Sequence, residues 1–216
     1  MSDPARSPAR QRRKEARPQE LTAAALSLFV EKGFAATRLD DIAERAGVSK
    51  GTLYLYFDSK DALFKAVIQE GIVPALHAGE ALLDEYDDPL ALLRAILLGW
   101  WERIGSTELG GIPKLMMSEA RNFPDIAVYY QQEVIQRGTA LLRKAVARGI
   151  ERGVFREVDP EAICSVLIAP LVYRAMWLHS FGPCCGQETD VAQYLHTYFD
   201  LVLNGLLAPA PSGDAR

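Results

Sequence analysis

A chain of 216 residues with 49% hydrophobic content is long enough to bury one or two cores. Its net charge of −4 is unevenly placed: residues 1–60 carry 11 Lys/Arg against 8 Asp/Glu, a net of +3, and the remainder carries −7, so a polyanion is expected at one end only. Three cysteines, Cys164, Cys184 and Cys185, with no apolar leader behind the basic N-terminus, argue against a disulfide scaffold or a secretory signal and for a reducing, cytoplasmic setting. The longest apolar run, 162–173, contains Pro170 and is too short to span a bilayer, so no membrane association is expected.

Residues 1–14 are rich in Pro, Ser, Arg and Ala without periodicity and are expected to be a disordered basic arm. Arg10, Arg12, Arg13 and Arg17 are its candidates for a minor groove or for non-specific phosphate attraction. Pro18 suits a first helical position, and Leu21, Ala24, Ala25, Leu28 and Phe29 recur at helical spacing until Gly33 stops the helix. Thr37 is the expected N-cap of the next helix, with Asp40 and Asp41 in its first turn and Leu39, Ile42 and Ala43 facing inward. Gly47 then breaks the chain, Val48 plugs the corner, and Ser49 caps a third helix reaching about Phe57.

A helix that short is unstable alone and must be held by its neighbours. Leu53 and Phe57 supply the inward contacts, which leaves Lys50, Gly51, Thr52, Tyr54 and Tyr56 nearer the open side. Gly51 costs a helix about 1 kcal/mol against Ala, a cost that makes sense where backbone must approach another surface. The residues around it donate hydrogen bonds to phosphates and base edges. Ser59 caps a fourth helix with Leu63, Phe64, Val67, Ile68 and Ile72 on one face. Lys60 in its first turn opposes the helix dipole unless an anion, such as a DNA phosphate, lies nearby.

Across residues 15–75 this pattern resembles the DNA-binding domain of the tetracycline repressor (TetR) family. The motifs that match are Leu28–Phe34 as Leu-Phe-x-x-x-Gly-Phe, Thr37, Asp41-Ile42-Ala43, Ala46-Gly47-Val48-Ser49, Gly51-Thr52-Leu53-Tyr54, Tyr56-Phe57 and Ser59-Lys60. The resemblance implies an all-α fold, a helix-turn-helix over about 38–57, and a C-terminal domain, residues 76–208, for ligand binding and dimerisation. It implies that Thr37 and Lys60 hold phosphates at the footprint's edges, with Arg38 and Ser49 beside them. Lys50, Gly51 and Thr52 would then face the major groove, and Tyr54 and Tyr56 would pack on the sugar-phosphate strand.

Further along, Asp88-Pro89 opens a helix through Trp100 and Trp101, and 105–111 is a loop. A short segment from Pro113 precedes a turn at Asn122-Phe123-Pro124-Asp125 and a long helix to about Gly149. Asp159-Pro160 starts a helix to about Ser180 that contains Pro170, where a kink is expected. A loop at 182–186 leads to a last helix through Val191, Tyr194, Leu195, Tyr198, Phe199, Val202, Leu203 and Leu206, and 209–216 should be a disordered tail.

The resemblance implies that the last two helices pair with their copies in a homodimer, with Leu195, Tyr198, Val202 and Leu206 as the candidate interface; completion of the monomer core is the rival role for that face. Trp100, Trp101, Ile104, Met116, Met117, Tyr129, Tyr130, Tyr173, Met176 and Trp177 are, as a group beside the Pro170 kink, candidates for an adaptable apolar ligand cavity, although residues of these types at helical spacing are individually more often plain core. Glu119, Arg121 and Arg174 are possible polar anchors or surface ion pairs. Cys184 and Cys185, with His179 and His196 nearby in sequence, lack the spacing of zinc ligands, and no metal or cofactor is expected. No catalytic or nucleotide fingerprint is present, so the chain is not expected to be an enzyme. The implied function is a DNA-binding transcriptional regulator, most simply a repressor that binds a palindromic operator as a dimer and is released by a small apolar effector. The alternative is a protein of the same fold that acts through its helical body without operator binding.

Overall fold

The computed structural model describes residues 8–185 and 190–209, with side chains from residue 18 onward. Helix α1 (Pro8–Lys32) runs through Pro18, which was expected to start it. The residues ahead of Pro18 include Gln11, Arg12, Arg13, Lys14 and Ala16, all good helix formers, and a proline removes only one bond of the ladder. Residues 8–14, expected to be a disordered arm, are therefore helical. Residues 1–7, the side chains of Arg10, Arg12, Arg13 and Arg17, and the tail from residue 210 lie outside the described residues.

Gly33 ends α1 at φ +88, a conformation that favours glycine. Helix α2 (Leu39–Arg45) is preceded by Arg38 at the cap position in extended conformation, so the expected cap, Thr37, stands one residue too early. Helix α3 (Lys50–Tyr54) is capped as expected by Ser49, whose Oγ accepts from the Thr52 N–H at 3.1 Å. It ends three residues before Phe57, in turn bonds from Tyr56 and Phe57 back to the Leu53 carbonyl. Helix α4 (60–85) joins Lys60–Val67, a π turn at Ile68–Ile72, and Val73–Glu85. At the π turn the Val73 N–H bonds Ile68, five residues back, and Pro74 has no N–H to restore the α ladder.

These four helices share a core of Leu21, Leu28, Phe29, Ile42, Leu53, Leu63 and Phe64, with Phe29, Phe34 and Phe64 in mutual ring contact at 5.2–6.0 Å. A second core gathers Leu92, Leu93, Leu97, Ala145, Val146, Leu167 and Leu171. It lies among α5 (89–105, with a π turn at Trp101–Gly105), α7 (124–151), α8 (Pro160–Ser180) and α9 (Val191–Leu206), whereas α6 (Ile112–Glu119) adds Ile112, Leu115 and Met116 to the first core. Asp88 and Asp159 cap α5 and α8 with their carboxylates, each followed by a first-turn proline as the sequence suggested. The class is all-α: among the described residues the one β-type pairing is an isolated bridge between Phe155 and Leu207.

The N-terminal helices and the C-terminal half of the chain meet at a tight seam beside the first core. A 3-10 turn at Glu108–Gly111 presses Gly111 on Val30 of α1 so closely that a Cβ there would stand 2.6 Å from the valine. At the far end of α6, Glu119 accepts the Ala35 N–H at 3.1 Å, and Phe123 packs edge-on against Phe34 at 4.8 Å. The loop entering α2 is thereby gripped by the C-terminal half of the chain.

Helix α8, longer than the apolar run within it, is long and apolar enough to cross a membrane by length and composition only. It packs instead against α5, α6 and α7, buries Leu167, Leu171 and Arg174, and leaves Val166 and Tyr173 exposed.

Candidate nucleic-acid interface

The surface made by α2 and α3 is set by what holds its inner side. Ile42, Ala43 and Leu53 are buried, and the turn closes with the Val48 N–H on the Ala43 carbonyl at 2.9 Å while Gly47 takes φ +66. Arg45 reaches back to Glu31 at 2.9 Å and Ser27 at 3.0 Å, which fixes α2 on α1. With the inner contacts satisfied, the outward residues of α3 have no packing duty.

Lys50 forms an ion pair with Asp40 at 2.8 Å and lies 6.0 Å from the Tyr54 ring centre, one turn on. The hydrogen bond to Asp40 raises its pKa above the usual lysine value, so it is a permanent cation in this surface. Tyr54 is 47% exposed. The Ser49 and Thr52 hydroxyls sit 2.9 Å apart, and Ser49 also serves as the cap. At Gly51 an added Cβ would meet nothing closer than Ser49 Oγ at 3.9 Å, so nothing inside the chain requires glycine there. Gly51→Ala is therefore expected to raise helix stability by about 1 kcal/mol or less and to weaken DNA binding, measured as a higher melting temperature alongside a lower duplex affinity. An alanine variant with unchanged affinity would show that no surface approaches this backbone.

Two of the expected phosphate contacts have internal partners instead. The Thr37 side chain is 1% exposed and donates to the Leu28 and Gly33 carbonyls at 3.1 and 2.7 Å, where it closes the end of α1. Lys60 donates to the carbonyls of Phe34, Ala35 and Thr37 at 2.6, 3.3 and 3.0 Å and lies 4.5 Å from the Phe34 ring centre. Burial lowers its pKa. These carbonyls, with Glu119 nearby, give the first-turn lysine negative partners within the chain. Arg38 beside them is exposed. Tyr56 is half-buried and packs on the core. Leu55, which sequence reasoning passed over, is 82% exposed, the largest value for a large apolar side chain among the described residues. Its flanking aromatic neighbours masked it, because position 55 falls inside an apolar run from 53 to 57 whose other members point elsewhere.

In the C-terminal half the candidate cavity residues do not form one group. Ile104, Met116, Tyr129 and Tyr130 pack with the first core, Trp101 lies in the second, and Trp100 touches both. Met117 and Tyr173 are exposed, and Trp177, half-buried beside Met176, stacks on Phe181 at 4.6 Å. Glu119 is engaged by Ala35, and Arg174 is buried with its guanidinium 5.5 Å from the Tyr194 ring centre, so it is not a surface group. Burial pushes the Tyr130 phenol and the Cys164 thiol up, the thiol to about 11.

Of the candidate interface residues, Tyr198 and Leu206 are buried inside the second core and Leu195 and Val202 pack against it. The outward apolar residues are Val166 and Tyr173 on α8 and Leu201 on α9. Cys184 and Cys185 are exposed with their Sγ atoms 3.3 Å apart, and no cluster of metal-ligating side chains occurs among the described residues.

Residues 21–67 match the model of bacterial regulatory proteins of the tetR family, and residues 84–182 match the tetracyclin repressor-like C-terminal domain. The chain is 48% identical over 180 residues to the HTH-type transcriptional regulator RutR of Escherichia coli K12, covering 77% of each chain. It is 26% identical over 198 residues to the HTH-type transcriptional repressor KstR2 of Rhodococcus jostii, covering 91% of this chain and 94% of the relative. Among solved structures it superposes on the TetR family regulator PfmR of Thermus thermophilus with a TM-score of 0.70 at 28% identity, over 85% of this chain and 97% of the other. The ketosteroid transcriptional regulator KstR2 of Mycobacterium tuberculosis gives 0.71 at 24% identity, over 89% and 96%.

Proposed function

Because the chain belongs to the tetR family of bacterial regulatory proteins, which bind DNA to regulate transcription and are not enzymes, we propose that it is a ligand-responsive repressor that grips a palindromic operator as a homodimer. The observation that carries this reading is the outer face of α3. Lys50, Gly51, Thr52 and Tyr54 stand together on a helix whose inner side is wholly committed to the core. An interaction protein freed from DNA would have no use for that combination. Ser49 and Arg38 flank the surface, and Thr37, Tyr56 and Lys60 shape it from within.

A second copy completes the site. One short recognition helix makes too few contacts for tight binding, and two copies one DNA turn apart would read a palindrome. The outward apolar residues of α8 and α9, Val166, Tyr173 and Leu201, support a four-helix interface between subunits. Replacing Val166 and Leu201 together by Asp is expected to convert dimer to monomer in sedimentation and to lower operator affinity at least about 100-fold. A double variant that stays dimeric would place the interface elsewhere.

The effector proposed is a small, largely apolar molecule taken up among the central helices, where Trp100 bridges the two cores. It would act by binding more tightly to the arrangement in which the two recognition helices are wrongly spaced. The contacts of Glu119 and Phe123 with the loop before α2 support a direct mechanical route, since a shift of α6 moves the groups that hold Ala35 and Phe34. Release of a bound operator duplex by hydrophobic compounds, screened by fluorescence anisotropy, tests this part. Operator affinity unmoved by any compound that binds the C-terminal half would overturn it.

A further inference from the structure

We propose that Leu55 reads sequence by packing on the 5-methyl group of a thymine in the major groove, an inference that rests on the operator-binding reading above. Leu55 follows the last residue of α3 in right-handed helical conformation, φ −72 and ψ −20, so its side chain continues the helical register. It stands four positions after Gly51, which places the two on one stripe of the helix surface.

Gly51 contributes no side chain to that stripe, and nothing in the chain fills the space beside it. The backbone at Gly51 can therefore come close to a neighbouring surface, and the first bulky group on the stripe is Leu55. Its neighbours face elsewhere: Leu53 is fully buried, and Tyr56 and Phe57 pack on the first core.

A leucine 82% exposed gains nothing from the fold. On DNA the deoxyribose C–H groups offer it an apolar surface that is the same at every position and carries no sequence information. The major-groove edge of a base pair offers one apolar group only, the thymine methyl. Lys50, Thr52 and Tyr54 bracket the same stripe with groups that donate to phosphates and base edges. The chemistry of the surface is then complete: donors position the helix, and Leu55 distinguishes thymine from cytosine at one position per half-site.

The test uses the full chain and a duplex selected from a random pool. Each thymine is replaced singly by deoxyuracil, which removes the methyl and keeps every hydrogen-bonding group. At one position in each half-site the replacement should weaken the unaltered protein about fourfold, the worth of one buried methyl, and about 15-fold when both half-sites are changed. Leu55→Ala should bind the thymine and uracil duplexes equally, with unchanged thermal unfolding. If no uracil replacement matters, or if Leu55→Ala keeps the full methyl dependence, Leu55 is not the reader, while operator binding itself stands. If the unaltered protein selects no duplex at all, operator binding fails and the Leu55 inference fails with it.

Discussion

Lys60→Met is expected to lower the stability of the N-terminal domain by about 2 kcal/mol, because the carbonyls of Phe34, Ala35 and Thr37 lose a charged donor in a half-buried site. The melting midpoint should fall by roughly 5 °C. DNA binding should weaken as well, but as a consequence, because the loop that these carbonyls belong to leads directly into α2. A phosphate-binding lysine would behave differently: the melting temperature would hold, and the dependence of affinity on salt would flatten by about one counterion for each phosphate no longer neutralised. Measuring unfolding and the salt slope on the same variant separates the two. Unchanged unfolding with a flattened slope would return Lys60 to the DNA surface.

Tyr54→Ala should do the reverse. The side chain is 47% exposed, so unfolding should change by no more than about 0.5 kcal/mol. Specific operator affinity should drop roughly 100-fold or more, since each contact is worth about 1–3 kcal/mol and is made twice in a dimer. Lys50→Ala should weaken binding by a comparable amount and also reduce the salt slope by about two for the dimer. It leaves Asp40 as an unpaired negative group on a surface that faces phosphates. Sequence-specific binding retained in both variants would remove α3 from the interface.

What the sequence could and could not disclose follows from which forces are local. The helix-turn-helix was legible because its signals are short-range: Ser49 caps, Gly47 turns, and Ile42 and Leu53 alternate inward with helical spacing. The outward set at Lys50, Gly51, Thr52 and Tyr54 followed by subtraction. The internal partners of Thr37 and Lys60 were not legible, because they are backbone carbonyls supplied by the end of α1 and the loop after it, and carbonyls carry no sequence signature. A lysine in a first turn correctly signals a nearby negative group, yet cannot say whether that group belongs to the protein or to DNA.

The interface residues on α9 illustrate the same limit at longer range. Spacing identified an apolar face at Tyr198 and Leu206 but not its neighbour, which is α8 and the rest of the second core in the same chain. Leu55 was hidden for the opposite reason. A hydrophobic residue between Leu53 and Phe57 reads as core by composition, although the helical register that Leu55 continues puts it on the outward stripe of Gly51.

The most direct test of the account is selection from a random duplex pool by the purified full-length protein at about 0.15 M salt, followed by salt titration of the winning sequence. The expected result is an enriched palindrome with half-site centres about one helical turn apart, or a multiple of it, bound by a dimer with affinity that falls steeply as salt rises. A pool with no enriched sequence, or a winner without two-fold symmetry bound by a single chain, would contradict it.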